Sequence, residues 1–258
     1  MQLNIIYEDK EILVCFKPAG IATQTAKFSG QDMVSLIKNY LAKQTGTKSP
    51  YVGIIHRLDQ PVSGLLVFAK NQKAAASLSK QIQDGNANKD YIALCKGTIE
   101  VKTGTLVHYI RKDSATKLAK VIREDEFVKN SMILDSAKTE ILKTERSLTE
   151  PKNKDKNQGY KKAVLTYEVE KEFEDSSIIK VHLQTGRFHQ IRAQFSYIDH
   201  ALLGDSKYGC AESRELSMKK RINMIALCAY RLVLKHPATG KEMEFILDEK
   251  YLPDWKNT

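Results

Sequence analysis

Apolar and polar positions fall into short blocks along this chain, separated by turn-forming residues. NIIYED and KEILVCF, over residues 4–16, are two strand-like runs about Asp9-Lys10 and predict a hairpin, which KPAG (17–20) closes. In SGQDMVSLIKNYLAK, residues Met33, Leu36, Ile37, Tyr40 and Leu41 recur at helical spacing, with Ser29 placed as N-cap. SGLLVFAK (63–70) is apolar without alternation and reads as a buried strand. NQKAAASLSKQIQDG reads as a helix capped by Asn71 and stopped by Gly85. KDYIALCKG (89–97), AVLTYEVEKEF and SIIKVHLQ read as strands, the second with the period-two alternation of a half-exposed one. TGRFHQIRAQFSYID reads as a turn followed by an amphipathic helix carrying Phe188, Ile191 and Phe195 on one face. MIALCAYRLVLKHPATGKEMEFIL is a strand pair joined at HPATG. Many strands with few helices predict an α+β fold with a mixed, largely antiparallel central sheet and flanking helices.

One region breaks the pattern. Residues 124–162 are polar, and EPKNKDKNQGYKK (150–162) sets Lys152, Lys154, Lys156, Lys161 and Lys162 against Glu150 and Asp155. Such a composition predicts a mobile, lysine-rich insertion, either a solvated loop or one that touches phosphates. Around it, the 258 residues fit a single domain over 1–258.

Charge sharpens the choice of partner. A formal net charge of +10 points to a polyanion such as nucleic acid. The cysteines, Cys15, Cys95, Cys210 and Cys228, form no CxxC and suit a reducing cytoplasm. The N-terminus has acids where a signal peptide needs basic residues and an unbroken apolar stretch, and no apolar run approaches the length of a membrane span.

Three residues stand out as chemistry. Asp59 lies in IIHRLDQPVSGLLVFAK, on a Pro- and Gly-marked turn before the buried strand; it is either a turn aspartate or an acid presented at the lip of a sheet. Arg187 follows Thr-Gly at the mouth of a predicted helix, where an arginine gains if an acid faces it; an arginine within a few ångström keeps a carboxylate ionised. Tyr91 is a strand aromatic that offers a flat face and a hydroxyl tip. Other chemistries fit poorly. The six histidines form no HExxH or close ligand pair, although His182 and His189 flank one turn. Ser63 lacks the GxSxG elbow, and neither TGKE nor KTGT has phosphate-loop spacing.

Taken together, HRLDQPVSGLLVFAKN and LQTGRFHQIRAQFSYIDHALLGDSKYG resemble the two signatures of the RluA family of pseudouridine synthases. FKPAG, KDYIALCKG, KKAVLTYEV and LKHPATGKEMEF are similar to its weaker blocks, in order, so the resemblance spans about 5–250 apart from the insertion. It implies the pseudouridine synthase fold and the isomerisation of uridine in ribosomal or transfer RNA, without metal or cofactor. It implies that Asp59 is the essential carboxylate, that Tyr91 stacks on the uracil and that Arg187 pairs with the aspartate. Arg57 would help hold the flipped nucleotide, and His56, His189, Gln190 and Arg192 are implied RNA contacts. Val62, Gln194, Asp199 and Ala201 depart from residues common in relatives, which bears on target choice rather than chemistry. The small RNA-binding module that many relatives carry ahead of the catalytic domain is not expected here, nor is an obligate protein partner; a cytoplasmic monomer is. An RNA-binding or ribosome-assembly factor with the same fold and secondary activity is the alternative.

Overall fold

A computed structural model describes residues 3–25, 31–131 and 158–256. Along the chain the strands are β1 (Asn4–Glu8), β2 (Ile12–Lys17), β3 (Gly53–Ile54), β4 (Ser63–Ala69), β5 (Asn88–Lys96), β6 (Thr103–Lys112), β7 (Ala119–Ile122), β8 (Lys161–Glu172), β9 (Ser176–Leu183), β10 (Leu227–Lys235) and β11 (Glu242–Ile246). The helices are α1 (Met33–Thr45), α2 (Gln72–Gln83), α3 (124–131), α4 (Gln190–Tyr197) and α5 (Ala211–Lys219). All the strands join one sheet in the order β1-β2-β4-β10-β5-β9-β8-β6-β7, with β3 on β4 and β11 on β10.

Among the described strands every pairing is antiparallel except one. β10 runs parallel to β4 through only two residue pairs, Cys228 with Ser63 and Ala229 with Gly64. Further along, β11 takes over as the neighbour of β10. The sheet is thus two antiparallel halves joined at a short parallel seam. Gly64 has φ +135°, and a Cβ there would sit 2.4 Å from the carbonyl oxygen of Ala229. Only glycine lets the two backbones approach this closely.

Both faces of the sheet are covered. Leu13, Leu66, Phe68, Tyr91, Ala93, Ile179 and Phe195 share a core with Ile37 and Leu41 of α1. Leu65, Val67, Ile92, Leu94 and Leu232 share another with Ala74 and Leu78 of α2. β4 is buried on both sides, which is why its sequence shows no alternation.

The predicted hairpin, the helix over 72–83 and the strands of the N- and C-terminal regions are present at or near the expected positions. Elsewhere the structure differs. The N-cap of α1 is Asp32, whose carboxylate accepts from the Ser35 N–H at 2.7 Å; Ser29 lies outside the described residues. Phe188 is not on a helix, because α4 begins two residues later. The polar stretch opens with α3 and ends inside β8, to which Lys161 and Lys162 belong; residues 132–157 lie outside the described residues. β6, β7 and α5 were not foreseen.

Candidate active site

Asp59 sits on the turn that leads into β4, at the seam. The Val62 N–H donates to the Asp59 carbonyl at 3.0 Å and closes the turn around Gln60-Pro61. Lys17, at the end of β2, is fully buried and donates to the carbonyls of Pro18, Ile21 and Gln60 at 3.0, 2.6 and 3.0 Å. Three acceptors match the three N–H bonds of an ammonium. Burial lowers the Lys17 pKa to about 8, partly opposed by the nearby Asp59. Thr23 clasps the other side of the turn, donating to the Leu58 carbonyl and accepting from the Leu58 N–H. The backbone on both sides of Asp59 is therefore fixed from beneath.

Its side chain meets Arg192, from the first turn of α4. Arg192 Nη1 donates to Asp59 Oδ2 at 2.8 Å, while Nε and Nη2 donate to Asp205 Oδ2 and Oδ1, both at 2.8 Å. Burial opposes the charge on Arg192, but Asp205 and then Asp59 outweigh it and raise its pKa above the ordinary value. Exposure rises along this chain of charges, from 0% for the Asp205 side chain through 4% for Arg192 to 29% for Asp59. The one carboxylate that reaches solvent is thus held by an otherwise buried ion pair.

Tyr91, from β5, is buried close by; burial, then the charge of Asp59, raises its phenol pKa. His189, the residue before α4, brings Nε2 to 3.6 Å from Asp59 Oδ2. Its Nδ1 is 2.8 Å from the Tyr208 hydroxyl. Beside His189, Lys112 lies over the Phe188 ring at 4.8 Å, and its neighbour in β6, Arg111, lies over the Tyr160 ring at 4.8 Å. This mixture of cations and aromatic faces suits phosphates and unstacked bases.

The structure corrects one pairing and relocates several residues. Arg187 does not partner Asp59: it precedes α4, and its Nε donates to the Lys162 carbonyl at 2.8 Å. Arg192 occupies that role because it lies on α4 itself, facing the seam. Arg192 is also too buried and too fully paired to serve as the RNA contact expected of it. Gln190 is buried as well. Its Oε1 accepts from Thr185 Oγ1 and the Arg187 N–H, and its Nε2 donates to the Val164 carbonyl, so it pins the turn before α4. His56 Nε2 accepts from the Val67 N–H at 3.3 Å; burial, then Lys89, lowers its pKa to about 3. Arg57 is exposed beside Asp59. His182 pairs with Asp90 and not with His189, and no cluster of three or more His, Cys, Asp or Glu suited to a metal occurs among the described residues.

Asp205, Tyr208 and Lys17 escaped notice as site residues. A signal existed for the first: an arginine between apolar helix positions Ile191 and Ala193 must be buried, and a buried arginine demands carboxylates. Asp205 in GDSKYG is near in sequence.

A fixed carboxylate, an arginine behind it and a tyrosine at the seam of a mixed sheet define a class of site for acid, base or nucleophile chemistry. Comparison with known proteins identifies the family. The model for RNA pseudouridylate synthases matches residues 11–197. The chain is 30% identical to "Uncharacterized RNA pseudouridine synthase YlyB" of Bacillus subtilis, over 95% of this chain and 68% of that protein. It is 29% identical to "Ribosomal large subunit pseudouridine synthase D" of Vibrio cholerae, over 95% and 67%. The solved structure of "Human RNA Pseudouridylate Synthase Domain Containing 4" superposes with a TM-score of 0.69 at 20% identity, covering 98% of this chain and 89% of that one, and shows the same fold. The chain belongs to the RNA pseudouridine synthase family, of the RluA type, and is an isomerase. No helix among the described residues is long and apolar enough to cross a membrane.

Proposed function

We propose that Asp59 is the catalytic carboxylate of this pseudouridine synthase and that its substrate is large-subunit ribosomal RNA. The observation that carries the first point is the presentation of Asp59: it is fixed by Lys17 and Thr23 through its backbone neighbours, held by Arg192, and open to solvent. The second is supported by the relatives named as ribosomal large subunit pseudouridine synthases D and C. Transfer RNA is the other substrate that the family resemblance implies.

In this mechanism the target uridine leaves its stack and enters the seam, at a cost of a few kcal/mol. Arg57, Arg187 and Lys112 meet phosphates on the rim and offset that cost. Tyr91 lies against the uracil. Asp59 starts the reaction, the glycosidic bond breaks, the base turns, and carbon 5 rejoins the ribose. The apolar surroundings of Tyr91 keep the detached uracil from water. The reaction draws on neither metal nor cofactor and needs no second protein. The four cysteines, all free thiols, suit a reducing cytoplasm.

The test is Asp59→Asn, assayed by tritium release from ribosomal RNA labelled at uracil carbon 5 and by RNA affinity. Binding within about threefold of wild type with no tritium release is expected. Substantial release by the variant overturns the assignment.

A further inference from the structure

The environment of His189 is more specific than an RNA contact requires. It occupies the N-cap position of α4, where Ser, Thr, Asp or Asn would ordinarily bond the first helical N–H groups. His189 makes no such bond and adopts φ +52°, ψ 31°, a left-handed conformation uncommon outside glycine, although less so for Asn, Asp and His than for other residues. Its ring is instead packed toward the site, stacked on Phe188 at 3.7 Å between centroids and edge-on to Tyr208 at 5.5 Å. Strain of this kind persists where surrounding contacts impose it, and it clusters at functional sites.

The hydrogen bonds set the tautomer. The Ala119 N–H donates to the Tyr208 hydroxyl oxygen at 2.7 Å. With that acceptor position filled, the Tyr208 O–H is free to donate to His189 Nδ1, 2.8 Å away. With Nδ1 accepting, a neutral ring carries its hydrogen on Nε2, and Nε2 faces Asp59 Oδ2 at 3.6 Å. Arg192 Nη1 donates to the same oxygen. Among the described residues Oδ1 has no hydrogen-bond partner.

We propose that His189 is a positioning residue for Asp59: with its Nε2–H tautomer set by Tyr208, it shares Oδ2 with Arg192 and leaves Oδ1 as the oxygen that meets the nucleotide. This rests on Asp59 being the catalytic carboxylate. A 3.6 Å separation is long for a hydrogen bond and closes as the nucleotide displaces solvent. The neutral ring matters, because an imidazolium would compete with the nucleotide for the carboxylate. The groups facing the ring are Asp59 from the β3–β4 turn, Arg192 from α4, Asp205, Lys207 and Tyr208 from the loop after α4, and Lys112 from β6 across Phe188. Burial, which Asp59 opposes and Arg192 and Lys207 reinforce, lowers the His189 pKa to about 4.

The experiment combines nitrogen-15 NMR of histidine-labelled full-length protein with pH–rate profiles of tritium release, using His189→Gln to assign the His189 signals. In wild type near neutral pH, a bare Nδ1 and a protonated Nε2 are expected. Tyr208→Phe removes the donor to Nδ1. It is expected to mix the tautomers, move the acid limb of the profile to higher pH and lower the single-turnover rate about tenfold at unchanged RNA affinity. His189→Gln, which keeps an N–H donor and cannot titrate, is expected to retain more activity than His189→Leu and to lose that limb. An Nδ1–H tautomer in wild type overturns the proposal even if Tyr208→Phe fails to fold. So does a Tyr208→Phe protein with wild-type tautomer and profile. Activity in Asp59→Asn would instead sink the parent assignment, whereas an inactive Asp59→Asn beside an unaffected Tyr208→Phe sinks only this one.

Discussion

Asp205 grips Arg192 with both carboxylate oxygens and turns its remaining Nη1 toward Asp59. The two-pronged pair fixes the plane of the guanidinium, which a single contact would leave free to swing. Asp205→Asn would leave Arg192 buried with weakened compensation. We expect a stability loss of about 3 kcal/mol in urea unfolding and a single-turnover rate down about 100-fold from misplacement at the seam.

The same geometry separates two arginines close in sequence. Lysine cannot bridge two carboxylates through a planar fork, so Arg192→Lys should abolish most activity. Among the described residues the Arg187 side chain donates to the Lys162 carbonyl and to no carboxylate. Arg187→Lys should change the single-turnover rate less than threefold and act mainly on RNA affinity. Equal effects of the two on rate would contradict this division of roles.

Lys17→Met would leave the carbonyls of Pro18, Ile21 and Gln60 without their shared donor. The Gln60 carbonyl keeps the Gly20 N–H at 2.9 Å, whereas those of Pro18 and Ile21 lose this donor, and an acceptor left bare costs about 1–3 kcal/mol. Relaxation moderates the sum, and a loss of about 3 kcal/mol is expected in urea unfolding. Because Gln60 follows Asp59, the rate should fall as well, even where the variant is fully folded.

Two glycines with positive φ offer a controlled comparison. Gly64 is hemmed in by the Ala229 backbone, whereas Gly85, at φ +72°, has nothing within 4 Å of an added Cβ. Gly85→Ala should cost about 1–2 kcal/mol, the price of a left-handed alanine. Gly64→Ala adds backbone overlap and should cost about 4 kcal/mol or more, with the seam forced apart. Thermal unfolding of both variants tests the difference.

Acid should destabilise the fold through His56. Its folded pKa is about 3, against 6.5 for a solvated imidazole in the unfolded chain. Between these values the unfolded chain binds the proton and the folded chain does not, so stability falls as pH drops from about 6.5 toward 3. His189, lowered to about 4, adds in the same direction. His56→Gln keeps an acceptor for the Val67 N–H but does not titrate, and its stability should fall less steeply over this range in urea titrations. An unchanged slope would count against a neutral, half-buried His56.

Much of this fold was legible because its signals are local. The unbroken SGLLVFA run announced a strand covered on both faces, and Asn71 and Gly85 marked the ends of α2. β6 and β7 were missed because β6 is mostly half-exposed and Gly- and Thr-rich at its start, so burial imposes little pattern on it. α5 was missed because its N-cap is a cysteine and few of its residues are buried. Asp59 and Tyr91 were identified from motifs, and both lie at the seam. The arginine was misassigned because pairing depends on where a side chain points after the chain turns into α4. Arg187 and Arg192 differ in that respect far more than their spacing suggests.

The seam carries a consequence for how activity arises during folding. β1 to β4 bring Asp59, while Tyr91, His189, Arg192 and Asp205 come with the other half-sheet. Each half is built of antiparallel neighbours, many of them consecutive or nearly so in the chain. The link between them pairs Ser63 with Cys228, far apart in sequence. Closing so large a loop is slow compared with forming hairpins. Recovery of isomerase activity on refolding should therefore lag the recovery of β-sheet circular dichroism, making the enzyme's own turnover a reporter of its long-range pairings, β10 with β5 as well as β10 with β4.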